Sequence, residues 1–314
     1  EAAAVSEAPG TSPSGTAVIA AAGGRLTVGS MAEGCETLRV QAAIASIVRL
    51  FTSADRRPLR CGLRGKIVAV FDTLVDGKPV RSPDHPALAL PGNMAAKMPL
   101  FSAARSRGFE GMALSKDGGK LYALLEGALW KEDGTFETSG GRPALRIAEF
   151  DIAKQSWTGR SWLYPFAEGG ESIGDFNMID ATTGLVIERD NGVGTADRAC
   201  APQQPKPDCF DNPAKLKRIY KIEMTDGNAG GAVRKVAFID LMAIRDPNSK
   251  KRQGGGAGYL DMLFVTIEDV DIVDTRHIIV ANDNNLPFSA GRAPNKADDN
   301  EFLLLEVGDF LAAK

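Results

Sequence analysis

An all-β fold, a β-propeller of about four-stranded blades, is what the chain predicts, and three observations carry the expectation. From residue 101 onward, short apolar strands recur at roughly 8–12-residue spacing. Glycine (34) and proline (17) are plentiful and punctuate those strands as turns do. A hairpin with acidic or amide residues at both ends returns three times, and no long helical period interrupts it.

The elements follow in order. Residues 1–24, rich in Ala, Ser, Pro and Gly, read as a flexible N-terminal segment, and residues 25–314 as a single domain. GKIVAVFDTLVDGKPV (65–80) is a strand followed by an Asp-Gly turn, whereas ETLRVQAAIASIVRLF (36–51) fits a strand and a helix face equally. EGMALSKDGGKLYALLE (110–126) is strand, turn, strand. Strands then fall at 144–152, 157–165, 175–190 as a hairpin, 216–224, 233–241, 266–285 as a hairpin, and 302–307. RQGGGAGYL (252–260) reads as an irregular loop. KLKRIYK (215–221) alternates basic and apolar residues, as a strand with one solvated face does.

Composition narrows the function. With 37 basic and 40 acidic residues the formal net charge is −3, which carries no basic excess for nucleic acid. VQAAIASIVRLF is too short for a transmembrane span and is interrupted by Arg49. The first residues carry no leader pattern, as expected of a chain whose leader has been removed or of a fragment. Cys200 and Cys209 frame a proline-rich loop and suggest a disulfide staple, with Cys35 and Cys61 completing an even set. Four reduced thiols are the competing reading; the oxidised one places the protein in a secreted or periplasmic compartment.

The acids repeat with the hairpins. Glu110 precedes a strand and Glu126 ends its partner; Asp175 is followed by Glu188 and Asp190; Glu268 and Asp269 are followed by Asn282 and Asp283. In a propeller, such positions converge on one end of the central channel. Crowded carboxylates need a cation or shared protons. Hard oxygen donors suit Ca²⁺, so Glu110, Glu126, Asp190, Glu268, Asp269, Asn282 and Asp283 are candidate metal ligands. Only two histidines are present, which excludes a His-rich transition-metal site. Asx turns and ion pairs to arginine explain the same residues without a metal.

RGFEGMALSKDGGKLYALLEG, GLVIERDNG, LFVTIEDVDIV and IIVANDNNLPFSAGR…ADDNEFLLLEV together resemble the phytase-like family, described by an esterase-like activity of phytase, over about residues 101–307. The resemblance implies a secreted or periplasmic propeller-type protein and phosphoester hydrolysis. Its motif positions here are Glu110, Glu126, Arg189, Asp190, Asn191, Glu268, Asp269, Asn282, Asp283, Asn284, Asn300 and Glu301. The Gly-rich strand and the strand ending in Ser-Asp that usually open the family are not found in residues 1–100. The propeller is therefore expected to be atypical or incomplete in its N-terminal third.

On this reading Glu110 or Glu268 is the base and bound Ca²⁺ holds the phosphate, steadied by Arg189, with Arg107 and Arg105 near the rim. GESIG (170–174) matches a serine nucleophile elbow in letters only, because that elbow needs a strand before Ser172 and a helix after it. His85 sits among prolines, and His277 is expected at an exposed turn. The partner is a phosphorylated small molecule. The alternative is a non-catalytic calcium-binding propeller that binds a protein partner or joins an extracellular assembly.

Overall fold

The computed structural model describes residues 70–83, 102–201 and 208–314 in full and residues 16–21, 25–30 and 66–69 as backbone. Cys35, Cys61, His85 and the segment 36–51 lie outside the described residues. The fold is all-β, in several antiparallel sheets. Strands β1 (Thr16–Ala21), β2 (Arg25–Ser30) and β3 (Lys66–Asp72) form a meander, so the N-terminal segment expected to be flexible contributes a strand. The minimal hairpin β4 (Leu74–Val75) and β5 (Lys78–Pro79) turns at Asp76 and Gly77, both with positive φ.

Three larger sheets follow, each with its main strands in chain order. The first holds β6 (Phe109–Leu114), β7 (Lys120–Leu125), β9 (Arg142–Asp151) and β10 (Ser156–Pro165), with the short β8 (Thr138–Ser139) attached to β9. The second holds β11 (Ser172–Met178), β12 (Thr183–Arg189), β13 (Lys217–Glu223) and β14 (Arg234–Asp240). After the short pair β15 (Ile244–Arg245) and β16 (Tyr259–Leu260), the third holds β17 (Ile267–Ile272), β18 (His277–Asn282) and β19 (Phe302–Glu306). A short helix, α1 (Gly308–Ala312), follows β19.

The first hairpin of each large sheet closes by the same device. Asp117, Asp180 and Asp274 each turn a carboxylate back onto backbone N–H groups two or three residues later: Gly119, Thr182 and Thr183, and Arg276 and His277. That is the Asx turn, which gives the chain a local reason to reverse there.

The second sheet is buried on both faces, and the two-residue period of a strand sorts its side chains. Val186, Tyr220 and Ile222 pack with Leu124, Leu145, Ile147, Trp162 and Tyr164 of the first sheet. Leu185, Ile187 and Ile219 pack with Val270, Ile278 and Val280 of the third. At Gly174 a Cβ would lie 1.9 Å from the Ile267 carbonyl oxygen, so glycine is what lets β11 press against β17. The last strands of the second and third sheets, β14 and β19, are the most exposed of their sheets, and β19 alternates exposed and half-buried.

KLKRIYK is not a solvated face. Lys217 is fully buried and Lys221 nearly so, because β13 is an interior strand. Lys221 spends its ammonium on the carbonyls of Leu311 and Ala313 at the end of α1.

Candidate functional site

Two of the expected acids share a backbone anomaly. In the first sheet Phe109 pairs with Leu125 and Gly111 with Leu124, leaving Glu110 as an extra residue. In the third, Ile267 pairs with Asn282 and Asp269 with Ala281, leaving Glu268 extra. Such a bulge interrupts the ladder, bends the strand and re-aims a side chain. The second sheet has its own shift between Ile173 and Phe176, spanning Gly174 and Asp175. There the acid turns inward: Asp175 accepts from the backbone N–H groups of Phe176 (2.7 Å) and Val270 (3.0 Å) and from Asn177 Nδ2 (3.1 Å). It stitches β11 to β17, and burial pushes its pKa up to about 7 against those donors.

The two bulged glutamates lie in one electrostatic field. Burial, then the neighbouring charges of Glu126 and Glu268, push Glu110 up to about 7, while Arg189 and Arg107 oppose the rise. Burial also carries Glu268 to about 7; Arg189 opposes it, and Asp283, Asp269 and Glu126 add to it.

Arg189 ends β12 on the face that carries Leu185 and Ile187, which directs it toward the third sheet. Only 6% of it is exposed. Its guanidinium lies 4.0 Å from Glu268 Oε1 and donates to Asn191 Oδ1 at 3.3 Å, while its buried Nε–H has no hydrogen-bond partner. A buried donor left without an acceptor is costly, so this N–H is open to a further acceptor.

On the other side, Arg107 precedes β6. Its Nη1 donates to Ser172 Oγ at 3.2 Å and lies 3.3 Å from Glu126 Oε1. Ser172 opens β11 and donates its hydroxyl to the same Glu126 oxygen. The first and second sheets are thus joined beside Glu110 by an arginine, a serine and a glutamate.

The remaining expected residues separate. Asp190 faces away from the glutamates: its carboxylate takes the Lys217 ammonium at 2.8 Å and the backbone N–H groups of Lys215, Leu216 and Gly192. Asn282 is bound to Glu301 N at 2.7 Å and the Asp299 carbonyl, and Asn284 to Asn300 and Asp298. Glu301 pairs with Arg292. Asp269, beside Asp283, has its pKa raised by burial first and then by that neighbour; Asp283 also accepts from Asn285 N. His277 opens β18 next to the turn and pairs with Asp274. Cys200 and Cys209 form a disulfide. No helix follows Ser172, so GESIG is not a nucleophile elbow.

These placements bear on calcium. Among the described residues no three His, Cys, Asp or Glu side chains are arranged to hold a metal ion. Two of the seven expected donors, Asp190 and Asn282, are engaged by lysine or backbone, and two arginines stand among the others. The donor set therefore does not fit a preformed cation seat, which needs six to eight convergent oxygens. Sequence reasoning missed the linking role of Ser172 and the burial of Lys217. The second was legible: in a strand Lys217 shares a face with Ile219.

A family model described as phytase-like, esterase-like activity of phytase, matches residues 39–286, beginning well before the stretch that carried the resemblance. A search of curated proteins found no match. Among the described residues no helix is long and apolar enough to cross a membrane.

Proposed function

From a chain that belongs to the phytase-like family, we propose a phosphoester hydrolase whose site lies between Glu110 and Glu268. The observation that supports it most is the pair of bulged glutamates, both pushed to about 7, beside an arginine with an unpartnered buried Nε–H. Arg189 and Arg107 hold the phosphoryl oxygens by charge-assisted hydrogen bonds. One glutamate, ionised, takes a proton from water as its oxygen attacks phosphorus; the other, protonated, gives its proton to the ester oxygen as the P–O bond breaks. Two carboxyls titrating near neutral pH supply both forms together.

The proposal extends to the architecture. Three sheets, each a meander in chain order with first strands packed together, are the blades of a propeller, and the two glutamates stand at one end of their innermost strands. The disulfide fits a secreted or periplasmic site of action. Calcium is not given a step, because the donors as placed do not converge. The exposed apolar row Ile279, Leu304 and Phe302 favours the second reading, a non-catalytic module that docks a protein partner.

The test is hydrolysis of p-nitrophenyl phosphate and phytate by the purified protein, before and after chelation and with added calcium. Turnover that survives chelation supports the two-carboxyl mechanism. Turnover that needs calcium overturns that mechanism but keeps the hydrolase. No turnover in any arm favours the binding module.

A further inference from the structure

We infer that Ser172 is a positioning residue, whose hydroxyl sets Arg107 against Glu126 and so builds one wall of an oxyanion seat opposite Arg189. The inference deepens the hydrolase reading, on which it rests for the seat's use in turnover.

The geometry is specific. Ser172 is 1% exposed, so its hydroxyl is not a surface group finding incidental partners. It accepts from Arg107 Nη1 and donates to Glu126, two roles that a hydroxyl fills at once and a methyl cannot. Arg107 is built into place from three directions. Ser106, immediately before it, holds a φ of 53°, a left-handed conformation that costs a non-glycine residue energy. Gly127 has no side chain where Arg107 passes: a Cβ there would lie 2.6 Å from the Arg107 Cβ. Glu126, held by its own N–H to the Gly108 carbonyl, supplies the counter-charge.

About a third of the Arg107 side chain remains exposed, against 14% for Glu126. The guanidinium is therefore clamped through Nη1 while the rest of it stays within reach of solvent. Ser172, which holds Arg107, pairs across the β11–β12 ladder with Arg189, and both guanidiniums lower the pKa of Glu110. A tetrahedral oxyanion such as phosphate, with oxygens diverging from one centre, is the ligand that two separated guanidiniums bind together. Ser172 does not touch it; the serine fixes the direction from which Arg107 does.

The experiment measures orthophosphate affinity by calorimetry on the full chain, alongside kcat and KM for p-nitrophenyl phosphate, for Ser172→Ala, Ser172→Thr, Arg107→Ala and the Ser172→Ala/Arg107→Ala pair. Ser172→Cys replaces Ser172→Ala if the alanine variant does not fold. The expected result is orthophosphate binding weakened about tenfold by either single change and no further by the pair. KM rises in step with the loss of affinity for Ser172→Ala, and threonine restores both affinity and KM. Additive losses, or an affinity unmoved by Ser172→Ala, overturn the inference and leave a wild type that turns over substrate as a hydrolase. Coupled orthophosphate binding without any turnover keeps the inference and overturns the hydrolase reading. A wild type that does not bind orthophosphate overturns the inference outright.

Discussion

Glu110 and Glu268 are the extra residues of equivalent β-bulges, each one place into the first strand of its own sheet. The sheets supply the same device twice, and the second sheet, between them, supplies Arg189 where the two fields meet. Replacing either glutamate by glutamine keeps the shape and removes the proton chemistry. We expect Glu110→Gln and Glu268→Gln each to lower kcat on p-nitrophenyl phosphate by about 10²–10⁴-fold. Circular dichroism identical to wild type, with activity retained, would remove both residues from the mechanism.

The same substitutions have a stability signature whose sign is fixed. Both pKa values are raised from 4.5 to about 7 in the fold. Between those values the native state binds more protons than the unfolded state, so stability falls as pH rises through that window. Below about 4.5 the penalty is absent; above about 7 it is complete. Wild type should lose on the order of 3 kcal/mol per glutamate between pH 4.5 and 7.5, and Glu110→Gln/Glu268→Gln should lose visibly less. Urea unfolding across the pH range measures it, and parallel curves would refute it.

Arg189 lowers the pKa of both glutamates. Removing its charge must therefore let both rise further. Arg189→Met is expected to move the acidic limb of the pH–rate profile upward by a fraction of a unit to one unit and to raise KM by more than tenfold. An Arg189→Lys variant, with one point charge in place of a planar fork, should restore the pH limb better than it restores KM. A profile that does not move would place Arg189 outside the field of the two acids.

The strands were legible because alternation and Asx turns are local properties: Asp117 with Gly118 and Asp180 with Thr182 announce their hairpins within four residues. The bulges were not legible, since whether Glu110 pairs or is skipped depends on its register against Leu124 and Leu125. Adjacent letters likewise concealed opposite fates. Arg189 and Asp190 look like one motif, yet one faces Glu268 and the other binds Lys217, because the strand turns successive side chains to opposite faces. The calcium expectation grouped acids by position along the hairpin, where the fold groups them by face.

The Cys200–Cys209 disulfide links residues nine apart in sequence, next to Phe210, whose ring packs against Gly194. A cross-link of that loop length limits the unfolded chain by about 3 kcal/mol in the chain-entropy account. Cys200→Ser/Cys209→Ser should lower unfolding free energy by about 2–3 kcal/mol. The glutamates lie on other segments, so kcat should stay within about twofold. Denaturant unfolding with and without reductant checks the first claim, since wild type and variant should share one midpoint when both are reduced.

The Asp190–Lys217 ion pair separates Asp190 from the two bulged glutamates. Lys217 has no exposed surface; its ammonium meets Asp190 Oδ1 at 2.8 Å and the carbonyls of Asp190 and Gly192 at 2.9 and 2.8 Å. Burial nevertheless pulls its pKa down to about 8, with the Asp190 contact opposing the fall. Removing one partner leaves a buried charge or two buried carbonyls unmatched. Lys217→Met is therefore expected to cost about 3–5 kcal/mol, and Asp190→Asn nearly as much. A ligand role for Asp190 makes the opposite forecast: near-native stability with altered calcium affinity. Thermal unfolding of Asp190→Asn with and without calcium distinguishes them. A large loss of stability that calcium does not reverse assigns Asp190 to the scaffold that holds Arg189 in place.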